Sequence, residues 1–208
     1  MQESWTNADE LMDRAAAGDD GAFGLLAAAV QDDIFRFALA RGLRIHDAAE
    51  AVQESLLRAF RGRLRWRLGG SAKSWLYGIT MNVVREFRRR RSGRQISGLD
   101  IEFADALPDN GDESADATDL EGLAAAISQL PDRQMEVIIC RFLRHMSVKE
   151  TAGVMDCAEG TVKAAVFSAL ENLRRPPQGF PRDGGLREPL PQYQRENRNF
   201  QKIGRRPN

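Results

Sequence analysis

Thiols and imidazoles are scarce in this chain. Two cysteines, Cys140 and Cys157, and two histidines occur among 208 residues, and none falls in the C-x-x-C or H-x-x-x-H spacings that hold a metal. The nearest mixed pair, His145 and Cys157, brings no orienting third group, so the pattern marks neither a metal centre nor a Cys/His nucleophilic site. Cys140 lies in the apolar run Val137–Leu143, where a small buried thiol is ordinary. No apolar run approaches the roughly 18 to 20 residues that span a bilayer, which excludes membrane insertion. Met1–Glu10 lacks a basic head and an apolar core, so a reduced, cytoplasmic setting is expected. No segment alternates apolar and polar residues at period two for long enough to build a sheet, and the expected class is all-α.

What the chain does have is sorted charge. Its formal net charge is zero, yet Arg61 to Arg94 carries eleven basic side chains against the single acid Glu86, and Leu99 to Glu121 carries nine acids with no Lys or Arg. Like charges crowded together repel, so such blocks call for a partner or a function that offsets the cost. The basic block ends in Arg88, Arg89, Arg90 and Arg91, a run that a phosphate backbone attracts by counterion release. The acidic block has Pro108, Asn110 and Gly111 and few bulky apolar residues, and reads as a linker between two small domains.

Helical periodicity accounts for the rest. Asp20 is the expected N-cap of a helix with Phe23, Leu26, Val30, Ile34, Phe37 and Ala38 at spacings of three and four, ended by Gly42. A second helix opens near Asp47 with Ala48, Val52, Leu56, Ala59 and Phe60 inside, leaving Glu50, Gln53, Glu54 and Arg58 for solvent or a partner. Ser71 caps a third, with Trp75, Ile79, Val83 and Phe87 on one side and Lys73, Tyr77, Arg85, Arg88 and Arg89 on the other. An apolar stripe opposite a basic one suits DNA, anionic lipid or a solvated face. The preceding Arg61, Arg63, Arg65, Trp66 and Arg67 favour nucleic acid, since cations track a backbone and an indole stacks on an unpaired base. A lone Trp among small helices equally suits a core.

The second half carries a tighter pattern. Ser147-Val148-Lys149-Glu150 is a capping box opening a short helix with Ala152 and Met155 inside. A turn over Asp156–Gly160 leads into a helix from Thr161 to Arg175 with Val162, Val166, Ala169 and Leu173 inside. Two short helices across a tight Gly-containing turn describe a helix-turn-helix, whose second helix enters the major groove.

These residues resemble bacterial RNA polymerase sigma factors of the extracytoplasmic-function (ECF) type. DAAEAVQESLLRAF, Asp47–Phe60, is similar to the helix with which the family grips the polymerase clamp. GGSAKSWLYGITMNVVREFRRRR, Gly69–Arg91, resembles the end of its promoter-melting segment and its minus-ten helix. Leu130–Arg175 resembles its minus-thirty-five domain, with GTVK opening the recognition helix. The resemblance implies domains at 1–95 (region 2) and 120–176 (region 4), an acidic flexible linker at 96–119, and a Pro/Gly-rich tail at 177–208. It assigns Asp47, Glu50, Gln53 and Glu54 to core polymerase. It places Arg65, Trp66, Arg67, Lys73, Tyr77, Asn82, Arg85, Arg88 and Arg89 on minus-ten DNA, and Thr161, Lys163, Ala164, Phe167 and Ser168 on the minus-thirty-five element. The implied partners are core RNA polymerase, promoter DNA and an anti-sigma factor. No enzymatic activity, cofactor or metal is implied. A stand-alone helix-turn-helix regulator is the main alternative, and an adaptor whose Arg-rich helix binds an acidic partner or a membrane is a remoter one.

The recognition helix departs from the family pattern. Lys163, Ala164 and Ala165 stand where Lys-Ser-Arg is common, and the missing Arg removes the commonest contact to guanine edges. Phe167 and the alanines suit thymine methyls, with Thr161 and Lys163 near phosphate at the helix start. Gly122–Arg175 is nearly neutral, with seven basic and six acidic residues. Weak minus-thirty-five binding is expected: residues 120–176 alone should fail to hold duplex promoter DNA at physiological salt, and tight binding in a gel-shift titration would refute this.

Overall fold

A computed structural model of the protein describes residues 5–91 and 117–174. The described residues form helices without strands, joined by short turns within residues 5–91 and within residues 117–174: α1 (Ala8–Ala16), α2 (Asp20–Ala40), α3 (Ile45–Gly62), a 3-10 turn (Arg63–Arg65), α4 (Ala72–Arg91), α5 (Ala117–Ser128), α6 (Asp132–Ile138) running into a π turn (Ile139–Leu143), α7 (Val148–Met155) and α8 (Glu159–Arg174).

Helix α2 buries Phe23, Leu26, Val30, Ile34, Phe37 and Ala38, the stripe its spacing predicts. Its N-cap is Asp19, one residue before the expected Asp20. Asp19 accepts from the Ala22 N–H at 2.9 Å, whereas Asp20 meets Arg63 at 2.7 Å. Gly42 follows α2 at φ +79, a left-handed conformation that suits glycine. Helix α3 opens at Ile45, slightly before Asp47, and buries Ala48, Ala51, Val52, Ser55 and Ala59. Leu56 and Phe60 are only half-buried. Helix α1, which buries Ala8, Met12 and Ala15, has no counterpart among the expected helices; its nine residues span too few turns for a long periodic stripe.

The capping box of α7 is present in both directions. Ser147 Oγ accepts from the Glu150 N–H at 3.1 Å, and the Ser147 N–H donates to Glu150 Oε2 at 2.8 Å. Asp156 closes α7 at φ 49, tolerated because a short polar side chain enters the left-handed region at modest cost. Helix α8 begins at Glu159, two residues before the expected Thr161. The acidic linker lies outside the described residues up to Asp116, and its expected last residues, 117–119, already belong to α5.

Buried apolar residues gather in two clusters. One is closed by α1–α4 around Met12, Phe23, Leu26, Ile34 and Leu76. The other takes Phe37, Tyr77, Met81 and Val84 from the first half and Ile139, Val154, Met155 and Val162 from the second. The two helical domains, α1–α4 and α5–α8, therefore share a core. Residues Met1–Arg175 form one compact unit; Pro176–Asn208 lie outside the described residues.

Helix α4 consequently differs from its expected two-faced pattern. Its buried residues are Ala72, Leu76, Tyr77, Thr80, Met81, Val83 and Val84, while Trp75, Ile79 and Phe87 are only half-buried. One side meets α3 and the other meets α7. Ser147→Ala removes one arm of the capping box and should lower stability by about 1 kcal/mol, measured as a shift of the urea midpoint at unchanged slope.

Candidate polymerase and nucleic-acid interfaces

The exposed face of α3 is mixed. Glu50 and Gln53 are exposed, and Asp47 and Glu54 are half-buried. Leu57, 42% exposed, falls between them on the helical wheel, and Ile45 is exposed at the helix start. The sequence reading missed both, because each is an apolar residue beside a buried stripe and periodicity alone assigns it inward. Glu54 accepts from Arg58 Nε at 2.6 Å, and Arg58 also forks onto Glu86 of α4 at 2.7 and 2.8 Å. That bidentate pair holds the Glu86 carboxyl below its usual range and joins α3 to α4.

The turn between α3 and α4 sends its residues in opposite directions. Arg65 and Arg67 are exposed, as are Leu64 and Leu68. Arg63 is not: it stacks over Phe60 at 3.7 Å and pairs with Asp20. Trp66 turns inward, against the reading that it stacks on an unpaired base. Its Nε1–H donates to Asp13 Oδ1 at 2.6 Å, and its ring meets Trp75 edge-on at 5.5 Å. A β-carbon at Gly70 would come within 2.9 Å of that ring, so glycine at this position lets the indole lie down. The indole thus finds both an apolar bed and a polar partner inside the domain.

Helix α4 carries the other minus-ten candidates, and the second half engages four of them. Lys73 Nζ donates to the Arg144 carbonyl at 2.8 Å, and burial pulls its pKa down. Tyr77 is fully buried beneath Phe37 and Trp5, with ring centroids at 4.9 and 5.3 Å. Burial pushes its hydroxyl pKa well above the usual phenol range. Its expected place on the basic face is therefore corrected: the phenol ring fills the shared core. Arg85 forks onto Glu136 of α6 at 2.9 and 2.8 Å, and Arg88 reaches Asp132 at 2.7 Å. Asn82 and Arg89 remain exposed. A cleft of about 860 Å³ opens here, lined in part by Arg58, Asn82, Arg85, Arg89 and Glu136.

Beneath this cleft lies a pair that the sequence does not signal. Arg41, 1% exposed at the end of α2, donates to Glu136 Oε1 at 3.1 Å, and Glu136 is itself 2% exposed. Burial lowers the Arg41 pKa to about 10, against the opposing pull of Glu136. Among the described residues, Arg41 Nε and Nη1, Ser74 Oγ, Tyr77 Oη and Thr151 Oγ1 are buried without a protein hydrogen-bond partner. Nothing in the local pattern of Arg41 or Glu136 sets either apart from an ordinary helix-face charge.

The recognition-helix candidates behave uniformly. Thr161, Lys163, Ala164, Phe167 and Ser168 of α8 are all exposed, Phe167 at 65%. Val162 and Ala169 point the helix's other face into the core.

Family comparisons fit this geometry. The Sigma-70 region 2 model matches residues 26–94 and the Sigma-70, region 4 model matches 126–175, together more than half of the chain. The ECF RNA polymerase sigma factor BldN of Streptomyces coelicolor is 30% identical over 170 residues, 80% of this chain and 64% of that protein. This chain belongs to the ECF sigma factors. A second relative of the sigma factor, the ECF RNA polymerase sigma-E factor of Haemophilus influenzae, is 29% identical over 183 residues, covering 83% of this chain and 96% of that one. Among solved structures, the sigma factor RpoE of Bartonella quintana, in complex with the anti-sigma factor NepR, is 26% identical. It superposes with a TM-score of 0.57 over 69% of this chain and 89% of its own. Sigma region 2 thus spans most of α2 with α3 and α4, and region 4 the end of α5 with α6–α8.

The two thiols of this sigma factor should react unequally. Cys140 is fully buried and its pKa is pushed up to about 12 by burial, while Cys157 is partly exposed. Since the thiolate is the nucleophile, a chromogenic disulfide reagent near pH 8 should titrate one thiol in the native protein and the second only after unfolding. Two fast native thiols would contradict the buried placement of Cys140.

Proposed function

We propose that this sigma factor binds core RNA polymerase through the exposed face of α3 and directs promoter-specific initiation through α4 and α8. The observation that supports this best is the pairing in one chain of a carboxylate-rich, leucine-bearing helix face with an α8 whose five candidate DNA residues all face solvent. Asp47, Glu50, Gln53 and Glu54 supply charge-assisted hydrogen bonds to a basic clamp surface, and Leu57 supplies an apolar anchor among them. Domain 1–95 performs polymerase binding, melting and minus-ten recognition; domain 120–176 performs minus-thirty-five recognition.

Within the first domain, Arg65 and Arg67 follow the phosphate backbone of the melted strand, with Asn82 and Arg89 further along α4. Lys73, Arg85 and Arg88 join them once released from region 4. Trp66 and Tyr77 hold the scaffold that presents these residues. In the second domain Thr161 and Lys163 contact phosphate near the start of α8, and Ala164, Phe167 and Ser168 face base edges. With Ala164 and Ala165 in place of longer polar side chains, α8 reads methyl groups better than guanine edges.

The sigma factor makes no bonds itself. It works in the cytoplasm, and among its described residues no helix is long and apolar enough to cross a membrane. An anti-sigma factor is its expected regulator, by analogy with RpoE and NepR. Mixed with purified core polymerase and pooled genomic fragments, the chain should co-elute with the enzyme and yield transcripts from discrete start sites. A helix-turn-helix regulator would do neither. On the promoter so found, Arg65→Ala and Arg67→Ala in the holoenzyme should each weaken binding across sequences and reduce the salt slope by about 1, read by fluorescence anisotropy over a salt titration.

A further inference from the structure

We propose that Arg58 is a positioning residue for minus-ten recognition: from α3 it pins the carboxylate of Glu86, which would otherwise draw Arg89 and Arg90 of α4 away from DNA. This rests on the reading that α4 faces the minus-ten element. From Arg61 to Arg94, Glu86 is the single acid among eleven basic side chains, and it lies inside the segment proposed to meet phosphate. Side chains three and four apart on a helix are neighbours, and an acid one turn N-terminal to a base is the favourable order. Arg89 and Arg90 stand at those two spacings from Glu86, both exposed, and both act electrostatically on its carboxyl. A guanidinium drawn onto that carboxylate presents less charge and fewer N–H groups to a phosphate.

Arg58 prevents this by geometry. Both oxygens of Glu86 accept from it, Oε1 from Nη1 at 2.7 Å and Oε2 from Nη2 at 2.8 Å. The third printed bond, Nε to Glu54 at 2.6 Å, ties the guanidinium to an acid one turn earlier on α3 and leaves its Nη fork for α4. The carboxylate is thereby turned sideways, toward α3, rather than along α4 toward Arg90. Arg58 also lines the same cleft as Asn82 and Arg89, so a positive charge stands beside the negative one in the field that phosphate would meet. Apolar packing holds the two helices together without the pair. Ala48 and Ala51 of α3 share one cluster with Val83 and Val84 of α4, and Val52 and Ala59 share the other with Ala72 and Leu76. A partly exposed ion pair adds little to such packing. What Arg58 decides is where the charge of Glu86 points.

Deletion and rescue distinguish this role from that of a simple joint between helices. In holoenzyme assembled from the full-length chain, on the promoter it selects, Arg58→Ala should weaken DNA binding about threefold or more, alike across sequences, and reduce the salt slope by about 1. Adding Glu86→Gln should return affinity and slope to those of the parent, because the released acid is gone. Glu86→Gln alone should bind no more weakly than the parent. A joint would behave in the opposite way, since either substitution breaks it and the second restores nothing. The rescue also isolates α4 from the polymerase-binding face, because Glu86→Gln does not alter Glu54. Urea midpoints of the three variants, close to that of the parent, verify that each is folded. Unchanged affinity of the Arg58→Ala holoenzyme, a double variant as weak as Arg58→Ala, or a Glu86→Gln variant equally weak overturns the proposal. If the parent chain with core polymerase gives no promoter-dependent transcript, the sigma-factor reading fails instead, and this role of Arg58 with it.

Discussion

A single carboxylate, Glu136, removed from water and shared between two guanidinium groups, sets the arrangement of everything around it. Arg41 approaches it from the end of α2 and Arg85 from α4, so three helices from two sigma regions meet at one charge. Buried ion pairs gain Coulomb energy and lose hydration in comparable amounts, so this joint contributes direction more than net stability. Asp132 lies one helical turn before Glu136 and extends the same logic to Arg88. Apolar packing does the remaining work: Tyr77, Met81 and Val84 of α4 complete a core that Val154 and Met155 of α7 could not close alone.

Much of this was legible in the sequence. The stripe Phe23 to Ala38 and the capping box Ser147/Glu150 follow from local rules, spacing for the stripe and hydrogen-bond reciprocity for the cap, and the outward set on α8, which includes the apolar Ala164 and Phe167, came from the family resemblance beside an inner stripe of apolar residues. Asp19 displaced Asp20 as the cap because two adjacent carboxylates compete and tertiary contact with Arg63 chose between them. Trp66 and Tyr77 were less legible because an aromatic ring with a polar tip is chemically suited both to a base and to a core. Asp13 decided the first case and the ring stack of Trp5 and Phe37 the second, and all three lie far along the chain. Arg41 and Glu136 were illegible altogether. Ninety-five positions separate them, and no local pattern distinguishes a buried charge from an exposed one.

The segregation of charge along the chain takes on a structural meaning. Region 4 is nearly neutral in total, yet it turns two of its few acids, Asp132 and Glu136, toward α4. A neutral domain thus behaves as a local polyanion on one face. Local arrangement, more than net charge, decides what such a surface attracts at short range, where screening by salt is least effective. Arg65 and Arg67, on the turn before α4, stay open to solvent.

Helix α4 is packed on both sides, against α3 and against α7, and this bears on its history. Arg85 and Arg88, on the region 4 side of α4, have partners within the chain, and under the proposed function each has a second one in promoter DNA. Under that function, a lineage that shifts its promoter preference through Arg85 or Arg88 also has to renegotiate the acids at 136 and 132. Across descendants the four positions should then drift as linked pairs, so that the record of ancestral promoter changes is written in α6 as well as in the helix proposed to read DNA.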